Sequence, residues 1–396
     1  MNLLNYVDRT VLYAVQPLVQ SEFHRSDADF GLVTSAFFIF YMLMSPVMGP
    51  LADRYSRKRI MIIGALVWSA ATLLTAVTYN FWELVFRHTI IGIGEASFVI
   101  ISPTFVADMF PEEKRGRVFG IFYLAIPVGT ALGYLLGGWL GPHYGWRMPF
   151  YVAAVPGFVL ALAMFWLPEP ERGRFDSIPE NAYRSTLWGL ARNPAFWTAT
   201  LGMAAMTFAL GGLQVWMPTF LHRARGFSLS AANRTFGLII LFDGIVASLA
   251  GGWLGDKLLP RTRSAYYLVS AVSLAVGVPA MMVALYNSGP LMVPALLVAG
   301  FMLLLNTAPL NAAVINSVGS HIRATAIAVN IFVIHMLGDA LSPWLIGFIA
   351  DRHSLQGGFI SAVIAIAISS AILFYGMRFA PPIRAAEHPT AGVPEE

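Results

Sequence analysis

Twelve apolar runs divide this 396-residue chain, and most of the polar segments between them are short. A helix of about 20 apolar residues crosses the hydrocarbon layer of a bilayer. Within lipid a backbone has to satisfy its own hydrogen bonds, which confines such a chain to packed helices. The runs fall at 1–21, 30–52, 59–79, 81–109, 116–141, 147–168, 195–222, 231–256, 263–286, 291–320, 322–351 and 357–379. Residues 169–194 are the only long polar interior segment. The expected organisation is therefore a six-helix bundle over 1–168, a linker over 169–194, a second six-helix bundle over 195–379 and a tail over 380–396.

Composition agrees: 57% of residues are hydrophobic, 12% are charged, and the mean hydropathy is +0.67. A soluble domain carries about 25% charged residues. Without cysteine the chain has no disulfide framework, thiolate metal site or cysteine nucleophile. The net charge of +4 raises the question of nucleic acid, but the basic residues lie in short loops between apolar runs. With the linker placed in the cytoplasm, seventeen Lys and Arg fall on that face and six on the other, so both termini are expected inside a plasma (inner) membrane. No cleavable leader is expected, because the first run lacks a basic flank and a small-residue cleavage site.

The two halves repeat. Gly49-Pro50-Leu51-Ala52-Asp53-Arg54 ends the second run, and Gly252-Trp253-Leu254-Gly255-Asp256-Lys257 ends the eighth. Arg115 opens the fifth run and Arg323 the eleventh. Gly129, Gly133 and Gly137 have a looser counterpart in Gly338, Ser342 and Gly347. All three offsets slightly exceed two hundred residues, as a duplicated bundle requires.

Two runs carry charge at membrane depth: Asp8 and Arg9 in the first, Arg87 and Glu95 in the fourth. Each such residue costs at least ~2.5–3.5 kcal/mol near a bilayer centre, so it usually lines a pathway. Asp8 and Arg9 project about 100° apart on a helix and pair poorly with each other. The expected partners are Arg87 for Asp8, and the cavity or Glu95 for Arg9. The alternative is a structural ion network that only holds the first bundle together. Glu95 follows Arg87 by eight residues, about 12 Å along the helix and on a neighbouring face. Burial and a nearby Arg shift a carboxylate's titration in opposite directions, a balance suited to loading and releasing a proton.

His335 and Asp339 share a helical face, as a proton relay, a metal half-site or a mutually satisfied pair. No third metal ligand is evident, and Asp243 stands alone in its run. Most aromatics should meet lipid or pack helices, with Tyr6 and Tyr123 as candidates to line a cavity. No phosphate-gripping loop or Ser-His-Asp spacing appears, which argues against an ATPase or another enzyme.

Gly49-Pro50-Leu51-Ala52-Asp53-Arg54-Tyr55-Ser56-Arg57-Lys58-Arg59 resembles the loop motif of the major facilitator superfamily, with Ser56 where glycine is usual. Arg87 with Gly92 and Gly94 resembles its fourth-helix motif. Within that superfamily the chain is similar to the spinster lysolipid and sphingolipid transporters. That text runs through Asn5-Tyr6-Val7-Asp8-Arg9, Gly92-Ile93-Gly94-Glu95-Ala96-Ser97-Phe98, Ser102-Pro103, Asp108-Met109-Phe110-Pro111, Lys114-Arg115-Gly116-Arg117 and Ile126-Pro127-Val128-Gly129. Only seven residues precede Asp8 where relatives carry more, so the first helix is expected to span barely.

The resemblance implies an all-α membrane protein of twelve helices in two pseudo-symmetric bundles. It would be a monomeric secondary transporter with no cofactor or metal, working by alternating access. A lysophospholipid or sphingosine-phosphate-like amphiphile would move, coupled to protons through Asp8, Glu95 and Arg87. Arg9, Arg87, Glu95, Tyr6, Tyr123 and His335 would line the substrate site, and Asp53, Arg54, Arg57, Arg115 and Asp256 would gate it. Organic anion:proton symporters share the intramembrane charges, so an organic anion or drug transporter is the alternative.

Overall fold

The computed structural model describes residues 1–172, 187–318 and 322–381, apart from the side chains at 112, 113, 115, 116, 187, 188 and 324. In the first half α1 (Asn2–Ala14) and α2 (Gln16–Phe23) form one bent rod, followed by α3 (Asp27–Arg54), α4 (Arg57–Thr75), α5 (Phe81–Met109), α6 (Glu112–Tyr144) and α7 (Met148–Ala163). After the short α8 (Leu187–Ala191) come α9 (Pro194–Arg225), α10 (Leu229–Leu258) and α11 (Ala265–Tyr286). Two broken rods follow, α12 (Met292–Leu305) with α13 (Thr307–Asn316), and α14 (Arg323–Ile334) with α15 (Ser342–Arg352). The last is α16 (Leu355–Gly376).

Among the described residues, eleven helical stretches are long and apolar enough to cross a membrane. The N-terminal rod is the exception, because it breaks at Val15, where ψ is 6°. Pro17, near the start of α2, has no N–H to continue the ladder. Large apolar side chains such as Ile63, Phe86 and Leu249 point outward, as a lipid-facing surface requires.

Local signals set the ends. Ser26 and Asp29 form a capping box at α3, and Asn80, Asn193 and Ser228 cap α5, α9 and α10 through their side-chain oxygens. Gly226 ends α9 in the left-handed conformation at φ 72°.

Within the first half α1 lies on α6, and α3 and α4 lie on α5. Gly129, Gly133 and Gly137 of α6 face Leu3, Val7, Thr10, Val11 and Ala14 of α1, where a Cβ would overlap the partner. The expected small-residue stripe is thus a helix-packing face. In the second half α9 packs on α16, α10 on α12, and α11 on both α12 and α16. The halves meet along two seams, α6 against α10 and α3 against α15.

The end where α7 stops and α9 starts is the linker end. At the opposite, far end, polar bonds cross between the halves. Thr219 donates to Gln16 at 3.1 Å, Asn233 to the Ala14 carbonyl at 2.9 Å, and Arg223 pairs with Asp27 at 2.8 Å.

Candidate functional site

Asn5, Asp8 and Arg9 of α1 are all buried. Arg9 Nε lies 2.6 Å from Glu95 Oε2, with side-chain exposures of 10% and 0%. Gly92 and Gly94 let α5 press against Phe37 of α3 and Trp68 of α4, which draws Glu95 into the interior. Four rings surround the guanidinium: Phe37 at 4.9 Å, Tyr41 at 5.0 Å, Tyr6 at 5.2 Å and Phe38 at 5.8 Å. Cation–π contacts of this kind reach about 2 kcal/mol when desolvated. Glu95 lies 14 residues into α5, about 21 Å from its far end. The pair therefore sits deep in the bundle, where rocking transporters place their sites.

Asp8 turns the other way. Thr72 Oγ1 of α4 approaches its Oδ2 at 3.5 Å, and Asp8 stands within electrostatic reach of Glu95. Around these charges several buried polar atoms have no hydrogen-bond partner among the described residues: Asp8 Oδ1, Arg9 Nη2, Glu95 Oε1, the Asn5 amide and both ring nitrogens of His88. Such clustering is rare in protein interiors and suits a place where water, a proton or a ligand head group is handled.

His88 was not foreseen. Its ring lies 5.2 Å from Phe37 and is fully buried. The signal that marks it is spacing, since His88 and Glu95 are seven residues apart and so share one face of α5.

Arg87 is placed elsewhere, and the expected Asp8–Arg87 pair does not form. Arg87 sits six residues into α5 at the far end. There it donates to the Leu74 carbonyl and, at 3.0 Å, to Thr78 Oγ1, and it pairs with Glu83 at 3.4 Å. The free carbonyls at the end of α4 hold it, one residue round from the inward face that His88 occupies.

From the second half, His335 reaches the same rings. It stacks on Phe38 at 6.0 Å and meets Tyr41 edge-on at 5.8 Å, while its Nδ1 lies 2.7 Å from Asp339 Oδ2. The turn carrying both is a π-turn, a deformation common at functional sites. Tyr6 is within electrostatic reach of Arg9, Glu95, Tyr123 and Asp339. Tyr123 is half exposed and stacks on Phe119 at 6.1 Å. Asp243 of α10 is buried against Gly300 of α12, and neither carboxylate oxygen has a partner.

At the linker end Asp53 and Arg54 are exposed. Arg57 is buried and pairs with Asp108 at 2.6 Å. Arg172 donates to the carbonyls of Ala52, Asp53 and Tyr55, closing off the end of α3. Glu169 accepts from Ser56 Oγ at 2.5 Å and from the Lys58 N–H at 3.4 Å. Partial burial pushes the Glu169 carboxyl up, but those bonds and Arg57 outweigh it and hold the group below the usual carboxylate range. Lys58 donates to the carbonyls of Phe165 at 2.8 Å and Leu167 at 2.7 Å. Asp256 accepts from Tyr266 of its own half at 2.8 Å. The side chain of Arg115 lies outside the described residues.

The profile of the Major Facilitator Superfamily matches residues 1–343. Protein spinster homolog 3 of Danio rerio is 36% identical over 89% of this chain and 76% of its own length. Protein spinster homolog 1 of Homo sapiens is 35% identical over 89% of this chain and 71% of its own length. Among solved structures, a bacterial homologue of the human lysosomal transporter spinster, inward-facing and unoccupied, superposes with a TM-score of 0.86. It has 23% identity and covers 96% of this chain and 95% of its own. A D-xylose-proton symporter shares the fold at TM-score 0.74 and 16% identity, covering 96% of this chain and 95% of its own.

Proposed function

From the premise that the chain belongs to the major facilitator superfamily and, within it, to the spinster proteins, we propose that this multi-pass secondary transporter moves a lysophospholipid or sphingosine-phosphate-like amphiphile by proton-coupled alternating access. The observation that carries this reading is the Arg9–Glu95 pair under its aromatic collar, with a second, partly buried ionisable pair, His335–Asp339, against the same rings from the opposite half.

A cation and an anion side by side, each with an unbonded atom, suit a zwitterionic head group. Arg9 Nη2 would meet a phosphate oxygen and Glu95 Oε1 an amine. Phe37, Phe38, Tyr41 and Tyr6, with Tyr123 nearby, supply apolar surface for the start of an acyl chain. Glu95 and Asp8 are the proton-loading groups. When Glu95 is protonated, its hold on Arg9 weakens and the guanidinium is freed for the substrate.

The division at 169–194, the linker and both termini in the cytoplasm, and a monomer working in the plasma membrane complete the proposal. Asp53, Arg54, Arg57, Arg115 and Asp256 serve as the linker-end gate. Arg87 ties α4 to α5 and is left out of the coupling set.

Labelled lysophospholipid flux in proteoliposomes under an imposed pH gradient tests this reading. Wild type should respond to the gradient, whereas Glu95→Gln and Asp8→Asn should lose that response. Flux that ignores the gradient in wild type removes proton coupling. Because Arg9 would also hold a simple organic anion, a competition arm decides the substrate class. Displacement of the lipid by a sugar acid, but not by a second lysolipid, would favour the organic-anion alternative.

A further inference from the structure

We propose that Asp351 is the latch of the far-end gate, holding the two halves together by capping a helix of the opposite bundle. Asp351 ends α15 in the second half. Its Oδ1 accepts from the N–H of Asp27 at 2.8 Å and its Oδ2 from the N–H of Ala28 at 2.9 Å. These are the first two residues of α3 in the first half. A helix start leaves four N–H groups without intrahelical partners and carries a partial positive charge, so it attracts a carboxylate. Ser26 satisfies the N–H of Asp29 from within the same half, and the two N–H groups before it are satisfied only across the seam.

The surroundings make the contact specific. Gly347 faces the Asp27 carbonyl and Gly31 faces the Pro343 carbonyl, so α3 and α15 touch backbone to backbone over the turns just inside the cap. The Asp27 side chain accepts from Arg223 of α9 at 2.8 Å and from Gln20 at 2.8 Å, and Arg223 also reaches Gln20 at 2.7 Å. Asp27 is therefore bonded from the second half through both its backbone and its side chain. All of these bonds are at least partly open to water, which keeps them weak enough to break in every cycle. The linker-end gate expected from sequence is a set of charges at helix ends, Asp53 among them. Asp351 is such a charge at the opposite end, from the opposite half.

The latch rests on the alternating-access reading, and one experiment separates the two. The chain has no cysteine, so Tyr79→Cys and Ser288→Cys, both at exposed far-end positions, place one spin label on each half without removing a native thiol. Pulsed distance measurements in lipid nanodiscs then report far-end opening with no substrate present. Asp351→Asn should raise the long-distance population roughly tenfold, the scale of one charge-assisted hydrogen bond. Asp351→Glu should raise it less. Arg223→Gln, which leaves the cap in place, should produce a smaller rise in the same direction, and Asp351→Glu decides the matter if Asp351→Asn does not fold. A wild type that samples two distances with unchanged populations in these variants overturns the latch alone. A single distance in wild type at every pH and with added lysolipid overturns alternating access itself.

Discussion

At Arg9 and Glu95, a single side chain decides whether a buried charge is matched. Arg9→Ala strands a carboxylate with 0% exposure, and the expected loss of stability is about 3–5 kcal/mol, read by thermal unfolding in detergent. Glu95→Gln keeps a hydrogen bond to the guanidinium and should cost less. A melting point equal to wild type for Arg9→Ala would show the pair to be unimportant for folding. Asp243 offers a contrasting case, because Gly300 faces one of its oxygens closely enough to exclude a Cβ. Gly300→Ala should destabilise by about 1–3 kcal/mol, and the cost should shrink when combined with Asp243→Ala. Equal costs in both backgrounds would show that the carboxylate is not what the added methyl meets. The sequence marked Arg9 and Glu95 because charge in an apolar run is conspicuous. It did not mark Phe37, Phe38 and Tyr41, since an aromatic in a membrane helix looks alike whether it faces lipid or a guanidinium. Arg87 was misjudged for a related reason: its charge is visible in the text, but its depth and its capture by the end of α4 are tertiary facts.

Among elements, α6 against α1 is the closest packing in the first half. Gly133→Ala would drive a methyl into Thr10 Oγ1 and the Val7 carbonyl. The expected cost is about 1–3 kcal/mol with some displacement of Asp8 and Arg9. The readout is therefore both a lower melting temperature and an altered pH response of transport. An unchanged melt would mean that α1 slides freely on α6. The Gly stripe is visible in the sequence as part of the repeat, but that α1 is the helix packed against it is a tertiary fact. The break at Val15 and the π-turn at His335–Asp339 were not readable, because they depend on which neighbour takes up the freed carbonyls. The polar attachment of Glu169 has a pH signature. Its carboxyl is held low in the fold, so its contribution is present above the ordinary carboxylate range and is lost as pH falls through the lowered value. Protection of the Ser56, Arg57 and Lys58 amides, relative to their intrinsic exchange rates, should fall as pH drops below the ordinary carboxylate range, and Glu169→Gln should show reduced protection at every pH. Protection that persists undiminished through that acid titration in wild type would contradict this.

Across the whole molecule, the two seams α6–α10 and α3–α15 were not readable from the chain, whereas the duplicated halves were. Repeats report what was copied, but the contact between copies depends on which conformation the bundles adopt. In the structure the crossing bonds of Thr219, Asn233, Arg223 and Asp351 gather at one end, so under the proposed alternating access the halves would pivot about contacts that lie off-centre. The opening of the linker end is bounded by something less visible. Arg172 is stitched to the end of α3 and Glu169 to the start of α4, so the first stretch of the linker rides with one bundle. The connection between the bundles is therefore shorter than the polar segment 169–194 suggests, because Glu169 and Arg172 are already tied to the first bundle. Cutting those stitches would lengthen that connection without adding a residue to it.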